Sequence, residues 1–144
     1  IYLVLLFGLV PFIYAIDNEK DFVYDLSLAT QGVTVSQYNT GVNYYLGRGI
    51  DKDLEKAVYW YQMASEEGHS KAPFNIGIIY ARGEVTDKDL TLALEYFLLS
   101  AERGNKEAKN LIKLLKRHDG SSLEESLAEI CCPEPLSHSM VSKN

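Results

Sequence analysis

The sequence predicts an all-α protein, a short α-α solenoid (superhelix) of antiparallel helix pairs. Three observations carry that expectation. First, residues 36–71 and 72–107 are two copies of one unit: Asn39, Gly41, Tyr44, Gly47, Asp53, Leu54, Ala57 and Gly68 recur as Asn75, Gly77, Tyr80, Gly83, Asp89, Leu90, Ala93 and Gly104. A fixed period of this length marks stacked helical hairpins. Second, Leu54, Ala57, Val58, Tyr61 and Ala64 fall at three- and four-residue steps, matched by Leu90, Ala93, Leu94, Phe97 and Ser100. Such a stripe is the buried face of a helix. Third, glycines recur where each helical stretch must stop, because glycine adopts the positive φ that ends helical hydrogen bonding.

Each element follows from local chemistry. The first helix of copy one runs from Ser36 through Tyr45 and stops at Gly47-Arg48-Gly49. Asp51-Lys52-Asp53 then places a capping carboxylate before the second helix, Leu54 to Glu67, which Gly68 ends. In copy two the corresponding helices lie near Ala72–Arg82 and Leu90–Arg103, joined through Gly83 and Asp87 and closed by Gly104. Gly41 and Gly77 sit inside the first helix of each copy, where glycine costs about 1 kcal/mol relative to alanine. Their recurrence predicts a close approach by the backbone of the second helix.

Partial copies flank the full ones. Residues 16–35 read as an N-terminal half-repeat: Asp21 to Ala29 and Gly32 align with a second helix, with Tyr24 where Trp60 stands. Residues 108–131 read as a C-terminal half-repeat plus a capping helix. Ala108 to Arg117 align with a first helix, though Leu111 and Lys113 replace the repeated Asn and Gly. Ser122-Leu123-Glu124-Glu125 resembles a capping box that starts a short helix with Leu123, Leu127 and Ile130 on one side. An isolated helical pair buries too little apolar surface to offset the entropy of ordering it, so these caps are expected to be needed for folding. Residues 132–144, with Pro133, Pro135 and several serines, read as a flexible tail.

Residues 1–15 read as a signal peptide. The stretch from Ile1 to Ile16 carries no ionisable group at neutral pH beyond the chain terminus and ends in Ile13-Tyr14-Ala15 before Asp17, which suits an h-region with cleavage after Ala15. Neither a basic n-region nor an initiator Met precedes it, so the sequence reads as a fragment at its start. An uncleaved membrane anchor is the alternative, although the run is short for a span of about 20 residues. The expected location is thus outside the cytoplasm: secreted, periplasmic or in the lumen of the endoplasmic reticulum.

Composition bounds the function. With 47% hydrophobic and 24% charged residues in 144, the chain suits one folded domain. The formal net charge of −6 argues against nucleic acid as a partner, since phosphates demand clustered Lys and Arg. Lys109, Lys113, Lys116 and Arg117 form one short basic cluster, read as a solvated helix face. Cys131 and Cys132 are adjacent and are the only cysteines, so no disulfide joins the repeats; free thiols or an intermolecular bond remain. Their spacing to Pro133 and His138 lacks the paired pattern of a structural zinc site. No phosphate loop or dinucleotide fingerprint occurs, and no metal or cofactor is expected.

The run from Gln37 to Gly68 contains Tyr-Asn-x-Gly, then Tyr-x-x-Gly-x-Gly, then Lys-Asp-Leu-Glu-Lys-Ala-Val-Tyr-Trp-Tyr. It resembles the Sel-one-like repeat (SLR), a relative of the tetratricopeptide repeat (TPR). The second copy departs where Val85 replaces a loop glycine and Pro73 enters the first helix. The resemblance spans roughly residues 21–117. It implies a non-catalytic adaptor or scaffold that holds a protein or peptide partner on the concave face of the solenoid. A structural subunit of a larger assembly is an alternative reading.

Candidate contact residues are those that the repeat does not require. Tyr45 and Tyr59 have Ala81 and Glu95 as counterparts, and exposed tyrosine is favoured at binding surfaces. Asn43, Arg48 and Arg82 also vary between copies and lie on or beside the first helices, the layer that commonly lines the concave face. Tyr44, Tyr80, Trp60, Tyr61 and Phe97 occupy shared positions and are assigned to the core.

Catalysis finds little support. His69 lies in the turn where copy two has Asn105, His118 closes the basic helix and His138 falls in the tail. Glu66-Glu67 and Glu124-Glu125 are neighbours that point in different directions on helices, which forms no two-carboxylate site. Some cysteine-rich secreted members of the resembling family are linked to slow β-lactam hydrolysis, but they carry a cysteine pair in each repeat that is missing here. A secreted hydrolase is therefore the weaker alternative. The expected outcome is no turnover of a chromogenic β-lactam by the purified protein, and turnover that disappears in His69→Ala would reverse this ranking.

Overall fold

A computed structural model describes residues 18–117 and Leu127. Residues 18–117 form six helices: α1 (18–30), α2 (Thr34–Leu46), α3 (Leu54–Glu66), α4 (Ala72–Arg82), α5 (Leu90–Glu102) and α6 (Lys106–Leu115). No strand occurs among the described residues. Helix α2 packs on α3, α3 on α4, α4 on α5 and α5 on α6, the neighbour-to-neighbour stacking of an α-α solenoid. The proposed signal segment, the tail, Cys131, Cys132, His118 and His138 lie outside the described residues. No helix among the described residues is long and apolar enough to cross a membrane.

Aspartate and glycine set the second helix of each unit. The Asp53 side chain accepts from the Lys56 backbone N–H at 3.0 Å, and Asp89 does the same for Leu92 at 2.9 Å. Each satisfies one otherwise orphaned donor at the helix start. Lys56 also pairs with Asp53 at 2.8 Å; its side-chain hydrogen bond, more than its charge, holds the Asp53 carboxyl below its ordinary range. Both second helices end one residue before the expected position, with Glu67 and Arg103 as C-caps.

The first helices start less uniformly. Val33, His69 and Asn105 stand at equivalent positions. Asn105 caps α6 by accepting from the Ala108 N–H at 3.0 Å. Val33 precedes α2 without a side-chain cap, and α2 begins at Thr34, two residues before the expected Ser36. Helix α4 begins only at Ala72, which puts Pro73 within the first turn, where its missing N–H leaves no intrahelical bond unmade.

The recurrent glycines inside α2 and α4 receive rings. A Cβ on Gly41 would stand 2.6 Å from Tyr61 Cδ1, and one on Gly77 would stand 2.7 Å from Phe97 Cε1. The close approach expected at these positions is therefore made first by an aromatic side chain of the partner helix. At Gly77 backbone also comes near, with the Ala93 carbonyl oxygen 3.1 Å away. Tyr61 and Phe97 are 1% and 0% exposed and anchor successive core clusters. Leu127 is helical and joins the second cluster with Phe97 and Ile112.

The loops close alike but run differently. The Asp53 N–H donates to the Tyr44 carbonyl at 2.9 Å and the Asp89 N–H to the Tyr80 carbonyl at 3.1 Å. Between these points Gly49 adopts a φ of 69° against the Asn18 and Glu19 backbone, leaving no room for a side chain. Its counterpart Val85 keeps a negative φ and packs against the first core cluster. That substitution changes the path of the loop without breaking its ends.

His69 occupies the turn between the units and stacks on Tyr38, with ring centroids 4.2 Å apart and planes 21° from parallel. Its Nδ1 is buried without a hydrogen-bond partner. Burial, then the nearby Lys71 charge, pushes the imidazole pKa down.

Two outcomes follow from this packing. Gly77→Ala gains up to about 1 kcal/mol of helix propensity but overpacks the Phe97 contact, so urea denaturation should show a net loss of about 1–2 kcal/mol. Combining it with Phe97→Leu should lose less than the sum of the single changes, whereas strict additivity would mean that the two sites do not touch. For His69 the folded state favours the neutral form, so its contribution to stability is complete above the unfolded pKa of about 6.5 and declines as pH falls toward the lower folded value. Melting temperature between pH 7.5 and 5.5 should therefore drop less in His69→Asn than in the parent.

Candidate functional site

Helices α2 and α4 are equivalent in their units, and between them lies a groove of about 260 Å³. Tyr38, Val42, Tyr45 and Leu46 come from α2, and Asn75, Ile78 and Arg82 from α4. Their spacings place each set on one helical face. The buried Tyr61 ring of α3 forms the floor, and burial pushes its phenol pKa above the ordinary value.

Two polar ties cross this groove. The Asn75 side-chain amide donates to the Tyr38 hydroxyl at 3.4 Å, and Arg82 Nη1 donates to the Tyr45 hydroxyl at 3.3 Å. Both are long and correspondingly weak. The Lys52 ammonium stands 5.4 Å from the centroid of the Tyr45 ring, within cation–π range. Glu84 approaches Arg82 Nη1 at 3.7 Å, while the Arg82 side chain remains 52% exposed. The groove thus has apolar walls and, at one end, the guanidinium of Arg82.

The candidate residues separate into three places. Tyr45 and Arg82 meet in the groove, although Tyr45 is half-buried and not freely exposed. Asn43 and Arg48 line a neighbouring polar hollow of about 240 Å³ with Asn18, Asp21, Asp25 and Asn39. There Asp25 accepts from Asn39 at 3.2 Å and from Asn43 at 3.5 Å, so the Asn43 amide ties α1 to α2. Tyr59 is 54% exposed and packs edge-on against Trp60. It lies two residues from Tyr61 on α3, which turns it away from the groove floor.

Tyr38, Val42, Leu46 and Ile78 were not singled out by the sequence reading. Their signal is the spacing 38, 42, 45, a second apolar stripe on α2 beside the buried stripe of Gln37, Thr40, Gly41 and Tyr44. Among the described residues no cluster of three or more His, Cys, Asp or Glu side chains is arranged to hold a metal ion.

Comparison with known proteins gives this architecture a family. The Sel1 repeat profile matches residues 34–69 and 70–105, half of the chain. A Sel1 repeat protein of known structure from Oxalobacter formigenes is 36% identical, with a TM-score of 0.58 over 62% of this chain and 36% of its own. The protective antigen c5321, present in uropathogenic Escherichia coli strains and displaying an SLR fold, is 26% identical with a TM-score of 0.66. That match covers 79% of this chain and 25% of the antigen. The chain thus spans well under half the length of either neighbour. Comparison with curated proteins returned no match. Sel1 repeats generally mediate protein–protein interaction. Two consecutive matched units, each folded as a helix pair stacked on the next, show that the chain belongs to the Sel1 repeat family.

Proposed function

We propose that the protein is an exported, non-catalytic adaptor that holds a peptide segment of a partner protein in the groove between α2 and α4, on the concave side of the solenoid. The observation that carries this reading is the groove itself: an open apolar channel between equivalent helices, with hydrogen-bonding groups at its edges. The apolar walls supply contact area, and side-chain amides and hydroxyls supply orientation. Tyr45 and Arg82 are its central contacts. Asn43 and Arg48, in the adjoining hollow, extend the surface along α2. Export draws its support from the apolar stretch before Asp17. The non-catalytic reading draws on the interaction role typical of the family.

The test is selection of a random dodecapeptide display library on the immobilised full chain. Synthetic copies of the selected peptides should bind at least tenfold more weakly to Leu46→Ser and Tyr45→Ala, about the effect of losing one buried anchor contact. Tyr59→Ala should leave their binding unchanged. Leu46 is 48% exposed, so helix content and melting of the Leu46 variant should match the parent. Peptides held equally well by both groove variants would overturn the assignment.

A further inference from the structure

Resting on the groove assignment, we propose that its occupant is an acidic peptide motif: one apolar side chain seated between Val42 and Ile78, with an Asp or Glu carboxylate a few residues away that reaches Arg82.

Charge complementarity carries the inference. The chain as a whole has a formal charge of −6, yet this apolar channel is lined at one end by Arg82, which donates to the Tyr45 hydroxyl, and the Lys52 ammonium stands over the same tyrosine ring. Among the described residues Glu84 is the one acidic side chain paired with Arg82, at 3.7 Å, and it contacts the same Nη1 that donates to the Tyr45 hydroxyl. Both of these contacts fall on Nη1 of the half-exposed guanidinium, and its planar fork matches a carboxylate in geometry. At the other edge the Asn75 amide, which meets the Tyr38 and Tyr61 hydroxyls, sets a polar group beside the path of the peptide backbone. A basic peptide would bring like charge against Arg82 and Lys52 and is disfavoured.

The repeat itself shows how local this charge is. Arg82 stands where the first copy has Leu46, and Lys52 where the second has Lys88. At the α2–α4 junction an arginine from one unit and a lysine from the other both come against one tyrosine.

The experiment uses the same dodecapeptide library on the full chain, counting only peptides whose binding falls at least tenfold in Leu46→Ser. Those peptides should carry Asp or Glu within three residues of an apolar side chain more often than the unselected library. Arg82→Gln should weaken synthetic copies about tenfold, and Arg82→Glu should weaken them further while improving copies in which the acid is replaced by Lys. Circular dichroism of both Arg82 variants should overlay the parent. Groove-dependent peptides with no acidic preference, or with affinity unchanged in Arg82→Gln, would overturn the acidic motif and leave the groove assignment standing. Absence of any groove-dependent peptide would overturn both.

Discussion

The contact on which the rest of the architecture depends is an aromatic ring seated on a glycine. Tyr61 fills the place of a side chain on Gly41, and Phe97 does so on Gly77. Glycine inside a helix is locally unfavourable, but it lets the partner helix approach with a full ring in between, and the ring is then buried on all sides. This fixes the distance between the helices of a pair. The rise from one pair to the next is fixed by other residues: Arg103 donates to the Ser65 carbonyl and hydroxyl at 2.6 and 2.9 Å, and the Ser100 hydroxyl donates to the Ser70 carbonyl at 2.7 Å. Between pairs these hydrogen bonds act together with a core cluster that runs from α1 to α4.

Repetition of sequence does not bring repetition of every contact. Asn39 and Asn75 are equivalent, yet Asn39 donates to Asp25 while Asn75 donates to Tyr38. The reason lies one helix back, where Asp25 of α1 has Tyr61 of α3 as its counterpart, so the same amide finds a carboxylate in one place and phenols in the other. The hollow beside α1 is consequently polar, and the groove between α2 and α4 is apolar. One repeated framework position thereby serves two surfaces of different chemistry.

Much of the fold was legible because its signals are local and covalent in origin. Asp53, Asp89 and the glycines after each helix placed α3 and α5 to within one residue. Helix α2 began earlier than expected because Val33 offers no side-chain cap to read. The purpose of Gly41 and Gly77 was half legible: the sequence marks a close approach, but whether backbone or ring fills the space depends on how two helices cross. The candidate site was harder. Tyr45 and Arg82 stood out by differing between copies, while Val42, Leu46 and Ile78 look like any core residue until the stacking of α4 beside α2 leaves them lining a channel. Tyr59 differs between copies in the same way but lies on the far side of α3. Variation between copies therefore marks freedom from the framework, without saying which surface the freedom serves.

Tyr61 belongs to both sides of this division, since the ring that seats on Gly41 is also the bed of the groove. An ancestral repeat protein exploring new partners could exchange Tyr45, Leu46 or Arg82 one at a time, because each touches solvent. Deepening or reshaping the bed would loosen the helix pair itself. Diversification of such surfaces is thus channelled to the banks, and the depth of the channel is inherited with the fold.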